Sequence, residues 1–518
     1  MRPGVWGAAI EPSEAEQAVL KRIRKAKLFV FLREHRHEIF TPEFQEELGA
    51  VYKDSSLGQP PVPPAQLALA VILQACTGVS DDEAIEATVM DRRWQLVLDC
   101  LDCEEPPFSK GTLVGLRKAL IEHDLDARLV DRTVEVAEEK GGFGSRKLWV
   151  ALDSSPLWGA GRVEDTYNLL GHALRKALGV IAREPWRGLA EVATESGAEL
   201  VAGTSLKAAL DLDWDNPEQR QEALVRVLGV LDAVKTYLDD AQAEAKACVD
   251  IAKQVENQDV EVQDGMPVLR RGVAKDRRIS VEDAEMRHGR KSKSTLIDGY
   301  KRHVLRDLDS GLVPSVGVTR ANVPEATVTD AIEADLERQG LELGELHVNR
   351  AYLSSTLVRE RTGELEVYCK AWAVRNGGRF PKSEFCLDWE RQRIRCPAGV
   401  QMHFEPGGTV HFPTSSCRVC PLRERCTGSV RGRGVSIHPD ERLLEEFRRR
   451  QLTTSGRQKL RERVGVEHSL AHIGQWQGDR ARYIGTRKNL FDLRRSAVVH
   501  NLHVIARMPD KSTQPLAA

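Results

Sequence analysis

The 518-residue sequence contains no apolar run that approaches the ~20 residues of a membrane span, so no membrane partner is expected. Its first residues, MRPGVWGAAIEPSEAEQ, lack a long apolar h-region, and no secretory signal is expected. Net charge is nearly absent: 75 Lys and Arg stand against 77 Asp and Glu, a formal balance of -2. The overall charge therefore does not advertise a polyanionic partner. Cysteine is sparse for a disulfide scaffold, at ten residues. Four of the ten cluster with metal-like spacing, which fits a reducing, cytoplasmic setting. There is neither an internal repeat nor a low-complexity tract.

What is present is ordinary in bulk and uneven in detail. The length allows about two to four domains, and 41% hydrophobic with 29% charged residues is usual for a globular chain. Charge is not spread evenly. Residues 266–307 hold 12 Lys/Arg against 6 Asp/Glu, and residues 441–510 hold 15 against 8. Basic stretches inside a neutral chain can form an electrostatic footprint for nucleic acid, though each also reads as a solvated charged face.

Periodicity divides the chain. Residues 1–140 read as a helical N-terminal domain, serving DNA binding or dimerisation; PVPPAQLALAVILQ opens a helix with prolines, and Ser80 with Asp81 caps the next. Lys147 to Leu152 reads as a buried strand ending at Asp153. Residues 165–265 return to amphipathic, acid-rich helix. Tyr300–Asp307 and Leu312–Thr319 read as two strands joined by a turn at Asp309-Ser310-Gly311, followed by a helix over Glu325–Gln339. LHVNRAYLSS, residues 346–355, reads as a strand delivering Asn349, and GELEVYCKAWA as a further strand. Residues 379–430 are Cys-rich, and 440–510 are helical and basic. The order implies an α/β fold: a mixed sheet, from 145–164 and 266–378, with a helical insertion and a second, Cys-rich insertion.

Three positions attract chemistry. Asp153 follows an apolar strand, where polar groups commonly line ligand sites, and it also reads as a turn-starting Asp. Glu467 lies among apolar residues at helical spacing, so its carboxylate needs a partner, either a metal or Arg463 one turn earlier. His468 and His472, four apart, have the spacing of a ligand pair but lack a further ligand and read as ordinary helix histidines. Cys396-x20-Cys417-x2-Cys420-x5-Cys426 matches a closed, structural Zn²⁺ site, with Cys386 and His403 as substitutes for one ligand. Cys100 and Cys103, a CxxC without a second pair, read as free thiols. RHGRKSKS packs Arg287, His288, Arg290, Lys291 and Lys293 together as phosphate-neutralising cations. Arg480, Arg482, Arg487 and Lys488 follow Glu467, with Trp476 and Tyr483 either stacking on an unpaired base or packing in the core.

Six stretches in order, PVPPAQLALAVILQ, ALDSSPLWG, MRHGRKSKSTLIDGYKRHV, VTRANVPEA, LHVNRAYLSS and RERVGVEHSLAHIGQWQGDRARYIGTRKNLFDLRRSAVVHNL, resemble the DDE transposases of bacterial insertion sequences. The resemblance spans roughly residues 20–507. It implies a ribonuclease-H-like core and a catalytic set of two Asp and one Glu holding Mg²⁺ or Mn²⁺. The first Asp falls on Asp153, the Glu on Glu467 with its preceding Arg on Arg463, and the second Asp on position 349. This sequence has Asn349 there, and Gly474 where some relatives carry a lysine seven residues after the Glu. Asn has nearly the shape of Asp without its charge. The resemblance therefore implies a transposase that cuts and joins double-stranded DNA ends, with Lys301 and Arg463 among its DNA contacts and catalysis impaired by Asn349. It further implies a homodimer acting at the bacterial nucleoid and a structural zinc site in the Cys-rich insertion. Two other readings accompany it: a transposase-derived DNA-binding protein without catalysis, and a metal-dependent nuclease of the same fold.

Overall fold

The computed structural model describes residues 2–54, 61–142, 146–183, 187–238, 242–291 and 294–508. Six strands form its central sheet: β1 (Leu148–Trp158), β2 (Arg287–Arg290), β3 (Leu296–Asp307), β4 (Ser315–Arg320), β5 (Leu343–Val348) and β6 (Glu366–Cys369). The order is β2-β3-β1-β5-β6, with β4 pairing the other half of β3. β3 runs antiparallel to β1, whereas β5 and β6 run parallel to it. The sheet is mixed and flanked by many helices, an arrangement that fits a ribonuclease-H-like core.

β1 differs from its expected extent. It does not stop at Asp153 but continues to Trp158, because β3 keeps pairing with it from Val150↔Asp307 to Trp158↔Gly299. The strand that ends is β5, whose last pair with β1 is Leu152↔Val348. Asp153 thus sits where β1 loses one neighbour, with Asn349 emerging from the terminated strand beside it. Gly299 makes the crowded end of this ladder possible. Its φ is +151°, and a Cβ there would lie 2.3 Å from the Gly159 nitrogen.

The β3–β4 turn is built by Asp307, which accepts hydrogen bonds from the Ser310 amide (2.8 Å) and hydroxyl (2.6 Å), and Gly311 takes φ +81°. The helix after β4 opens with a tight 3₁₀ turn, Glu325–Val328, before the α-helix Thr329–Arg338. A 3₁₀ opening is a common helix start that apolar periodicity does not separate from α.

Among the described residues, eight helices lie between Glu14 and Glu139. Ser80 and Glu83 form a reciprocal capping box at one of them. The helix Pro64–Thr77 is buried on nearly every side and packs on the C-terminal helix Thr486–Ile505, as does Leu125–Glu139. One apolar cluster therefore runs from Leu69 and Val134 through Leu152 and Leu346 to Val498. The helices between Thr166 and Asp259 enclose their own cluster, around Leu170, Leu174 and Val227. Short strands between Cys386 and Ser436 enclose another, around Phe385, Phe404 and Phe412. Among the described residues, no helix is long and apolar enough to cross a membrane.

Candidate active site

Glu467 reaches the sheet on the helix Val464–Gln477. Val466, Leu470 and Ile473 of that helix are buried against Ala151, Val304 and Val316, each worth about 1.5–3 kcal/mol. This leaves Glu467 on the adjacent face, half-exposed toward the cleft. The far end of the helix is pinned by Arg302 of β3, only 4% exposed. Arg302 donates to Ser155 Oγ (2.7 Å), Gln477 Oε1 (3.1 Å) and the Gly478 carbonyl (2.8 Å). Asp153, Ser155, Arg302, Glu467, Gly474 and Asp479 line one cleft of about 510 Å³.

A chain of side chains links Asp153 and Glu467 of this cleft to residues beside it. Asn349 Nδ2 donates to Asp153 Oδ1 (2.9 Å) and to Glu325 Oε2 (3.3 Å). Its Oδ1 accepts from the Ala351 amide at 2.7 Å, which fixes the amide orientation: a flip would face oxygen to two carboxylates. Asp153 Oδ2 accepts from Arg463, whose other terminal nitrogen donates to Glu467 Oε1 at 2.9 Å. Positions 153, 349 and 467 are thereby brought together, and a guanidinium stands between the two acids. The Arg463–Glu467 pair raised by the helical spacing is present, and Asp153 shares the same arginine.

Beneath the chain lies a neutral buried relay. His303 Nδ1 lies 2.7 Å from the Tyr352 hydroxyl, and Nε2 lies 2.9 Å from Thr319 Oγ1. Complete burial, with Lys301 and Lys291 nearby, pushes the imidazole down to about 3. Burial, followed by the Glu325 and Asp153 charges, raises the Tyr352 phenol far above its ordinary range. Lys301 is lowered by burial and raised by Glu325. Tyr300 donates to Asp283 (2.6 Å) and accepts from the Gly485 amide (3.1 Å). Of the Gly-Tyr-Lys and His of the β3 motif, Lys301 and His303 thus lie beside the site, while Tyr300 ties β3 to Asp283 and Gly485.

The expected phosphate contacts fall into two sets. Arg287 is turned inward, donating to Asp276 (2.8 Å) and to the Ala284 and Met286 carbonyls. Lys301 is buried against the Val323 carbonyl (3.0 Å), and Arg487 is held by Asp126 (2.6 Å) and the Ile121 carbonyl. These three differ from their expected surface role, because Asp276 and two neighbouring carbonyls, the Val323 carbonyl, and Asp126 respectively engage them within the protein. His288 pairs with Asp298 (2.6 Å). Arg290, Arg480, Arg482 and Lys488 are exposed. Lys291 donates to the Ser154 carbonyl and hydroxyl (2.8 and 2.7 Å) at the site itself, while Lys293 lies outside the described residues. Trp476 stacks on His503 (5.4 Å, 9°) and Tyr483 packs edge-on to Phe491, so both rings are occupied within the protein. His472 meets His500 at 3.1 Å, and His468 is exposed.

Cys396, Cys417, Cys420 and Cys426 line one cavity; Cys386 and His403 do not. Burial raises the Cys426 thiol, and the other three add to the rise while Arg433 opposes it. Four cysteine sulfurs around one cavity are a donor set that suits a soft divalent cation. One tighter group of potential ligands occurs among the described residues: Glu345, His347 and Glu462, with ligand atoms within 4.8 Å of one another. Lys459 already supplies a cation there, 2.8 Å from Glu345 and 3.3 Å from Glu462. Neither the four thiols nor Asp153, Glu325 and Glu467 close to that spacing among the described residues.

Sequence reasoning missed Glu325, Arg302 and the Glu345 group. VTRANVPEA was noticed only as a matching stretch, and nothing local in it directs Glu325 toward Asn349.

Residues 395–506 match a family model described as a transposase DDE domain, and residues 19–119 match a transposase domain, DUF772. The first match includes Glu467 and the four cysteines; neither includes residues 153 or 349. Both matched models describe transposase domains. Together they support an insertion-sequence DDE transposase as the family of this chain. No curated protein and no solved structure matches it.

Proposed function

We propose that the chain binds double-stranded insertion-sequence ends and, with Mg²⁺ or Mn²⁺ at Asp153 and Glu467, hydrolyses and rejoins phosphodiester bonds, with cleavage reduced by Asn349. The observation that carries this reading is the hydrogen-bonded chain that links positions 349, 153 and 467 through Arg463. The donor set suits a hard divalent cation, and the Arg463 guanidinium marks a place where positive charge is already accommodated between two acids. Asp153 and Glu467 would hold such a cation, which would supply stabilisation of the charge that builds on the oxygens of an in-line displacement. The chain's own part is to hold the acids and the DNA. Arg463 releases Asp153 and Glu467 toward the cation. Arg290, Lys291, Arg480, Arg482 and Lys488 neutralise phosphates beside the cleft, and Arg302 presents a guanidinium against Gly474, where some relatives carry lysine. Zn²⁺ at Cys396, Cys417, Cys420 and Cys426 would draw the four thiols together and brace the insertion. Joining two ends calls for two protomers, so a homodimer is part of the proposal.

One observation favours a second reading, DNA binding without catalysis. The Asn349 oxygen is committed to the Ala351 amide, and its NH₂ group faces the acids. The test is end cleavage of a terminal duplex with Mg²⁺ by the unaltered chain and by Asn349→Asp. Faster cleavage by the Asp form is expected, and equal cleavage by both overturns the Asn349 argument. If neither form cleaves while both bind the ends, the second reading stands.

A further inference from the structure

Resting on the transposase reading, we propose that Glu325 is a metal-binding residue of this site, supplying the carboxylate that position 349 lacks. Glu325 follows β4 and opens the 3₁₀ turn Glu325–Val328, far from β5 in the chain. Its side chain is nevertheless carried to the end of β5, where Oε2 lies 3.3 Å from Asn349 Nδ2. The same nitrogen lies 2.9 Å from Asp153 Oδ1. One amide donor thus stands between two carboxylates, a hard-oxygen pair of the kind a divalent cation takes, with Arg463 on Asp153 and Lys291 and Lys301 near Glu325 as the positive charges already there. Glu325 is 8% exposed and Asp153 7%, so solvent screens neither well.

The surroundings show that the carboxylate is held, not saturated. Lys291 and Lys301 stand 3.8 and 3.9 Å from Glu325 Oε1, beyond hydrogen-bond distance, and both ammonium groups give hydrogen bonds elsewhere. The bond from Asn349 is the hydrogen bond made to the Glu325 carboxylate among the described residues. Rotation of the Asn349 amide away from the acids exposes oxygens of both Asp153 and Glu325 to one cation. The neutral residue at 349 also permits this pairing: an Asp there would place a third negative charge against both acids. Position 349 and Glu325 are therefore alternative sources of the second carboxylate.

The experiment is Mn²⁺ titration of the full chain, followed by the EPR signal of free Mn²⁺, for the unaltered protein, Asp153→Asn, Glu325→Gln and Glu325→Asp. A Gln at 325 still accepts from Asn349, so the fold is retained, and thermal unfolding in chelator checks this. Glu325→Gln is expected to weaken Mn²⁺ binding on the order of tenfold or more, as loss of a charged contact does, with partial rescue by Glu325→Asp. In an Asn349→Asp background the effect of Glu325→Gln is expected to shrink, which a merely structural role would not produce. If Asp153→Asn loses Mn²⁺ binding and Glu325→Gln does not, the assignment of Glu325 is wrong and the transposase reading survives. If the unaltered chain binds no Mn²⁺, or neither substitution changes its binding, both are overturned.

Discussion

Asn349→Asp tests the electrostatics of the site without any DNA. The substitution removes the donors that reach Asp153 at 2.9 Å and Glu325 at 3.3 Å and puts an anion in their place. At 2.9 Å the repulsion between unit charges is about 1.4 kcal/mol with water-like screening and about 6 kcal/mol at an effective dielectric of ~20. Protonation caps this cost. An Asp with an ordinary value of ~3.9 escapes by taking a proton at pH 7 for about 4 kcal/mol. The metal-free Asp form is therefore expected to be less stable than the Asn form by about 3 kcal/mol, including the lost hydrogen bonds. A cation at one hundred times its Kd returns about 2.7 kcal/mol. Thermal unfolding of both forms in chelator and in saturating Mn²⁺ is the assay. The Asp form should melt lower in chelator and gain more from Mn²⁺. Equal stability in chelator, or an equal gain from Mn²⁺, refutes the picture of three acids converging on one point.

Other measurements follow from the same geometry. Burial holds His303 near about 3 and His500 near about 4, so the unfolded chain binds more protons than the folded one between about pH 4 and 6.5. Stability should fall as pH drops through that window, by about 2 kcal/mol per histidine at pH 5, read from denaturant midpoints at pH 7 and 5. Elemental analysis should find near-stoichiometric zinc, and a strong chelator should make residues 386–436 sensitive to protease; protein without zinc would remove the Cys₄ proposal. Neutralising Arg480, Arg482 and Lys488 together should lower the slope of log affinity against log salt by about 2 to 3. Arg287→Gln should reduce stability and leave that slope unchanged, since Arg287 is turned toward Asp276 and two carbonyls.

Much of the architecture was legible because it is written in local patterns. Alternation and apolar runs marked the strands around Asp153, Asn349 and β3, and helical spacing placed Glu467 beside apolar neighbours with Arg463 one turn away. Boundaries were less legible where pairing decides them. Residues 154–158 look like a turn, with Ser-Ser-Pro, but remain a strand because β3 continues to hydrogen-bond with them. The direction of cations was least legible. Arg287 and Arg480 are both arginines in basic stretches, yet Asp276 and two carbonyls bury one while the other is exposed.

The residue types at positions 153, 349 and 467, the four-cysteine spacing and the run of helices and strands belong to the sequence alone, since each is carried by chemistry or periodicity within a short segment. Glu325 belongs to the folded chain. A 3₁₀ turn after β4 and the end of β5 are adjacent only because β3 and β1 pair between them, and only that adjacency sets a carboxylate against Asn349. The same is true of Arg463, whose spacing to Glu467 is local, but whose hold on Asp153 requires the helix Val464–Gln477 to lie against the sheet. Local patterns specify which groups are available, whereas long-range packing specifies which of them share a low-dielectric space, and there the charges acquire their function.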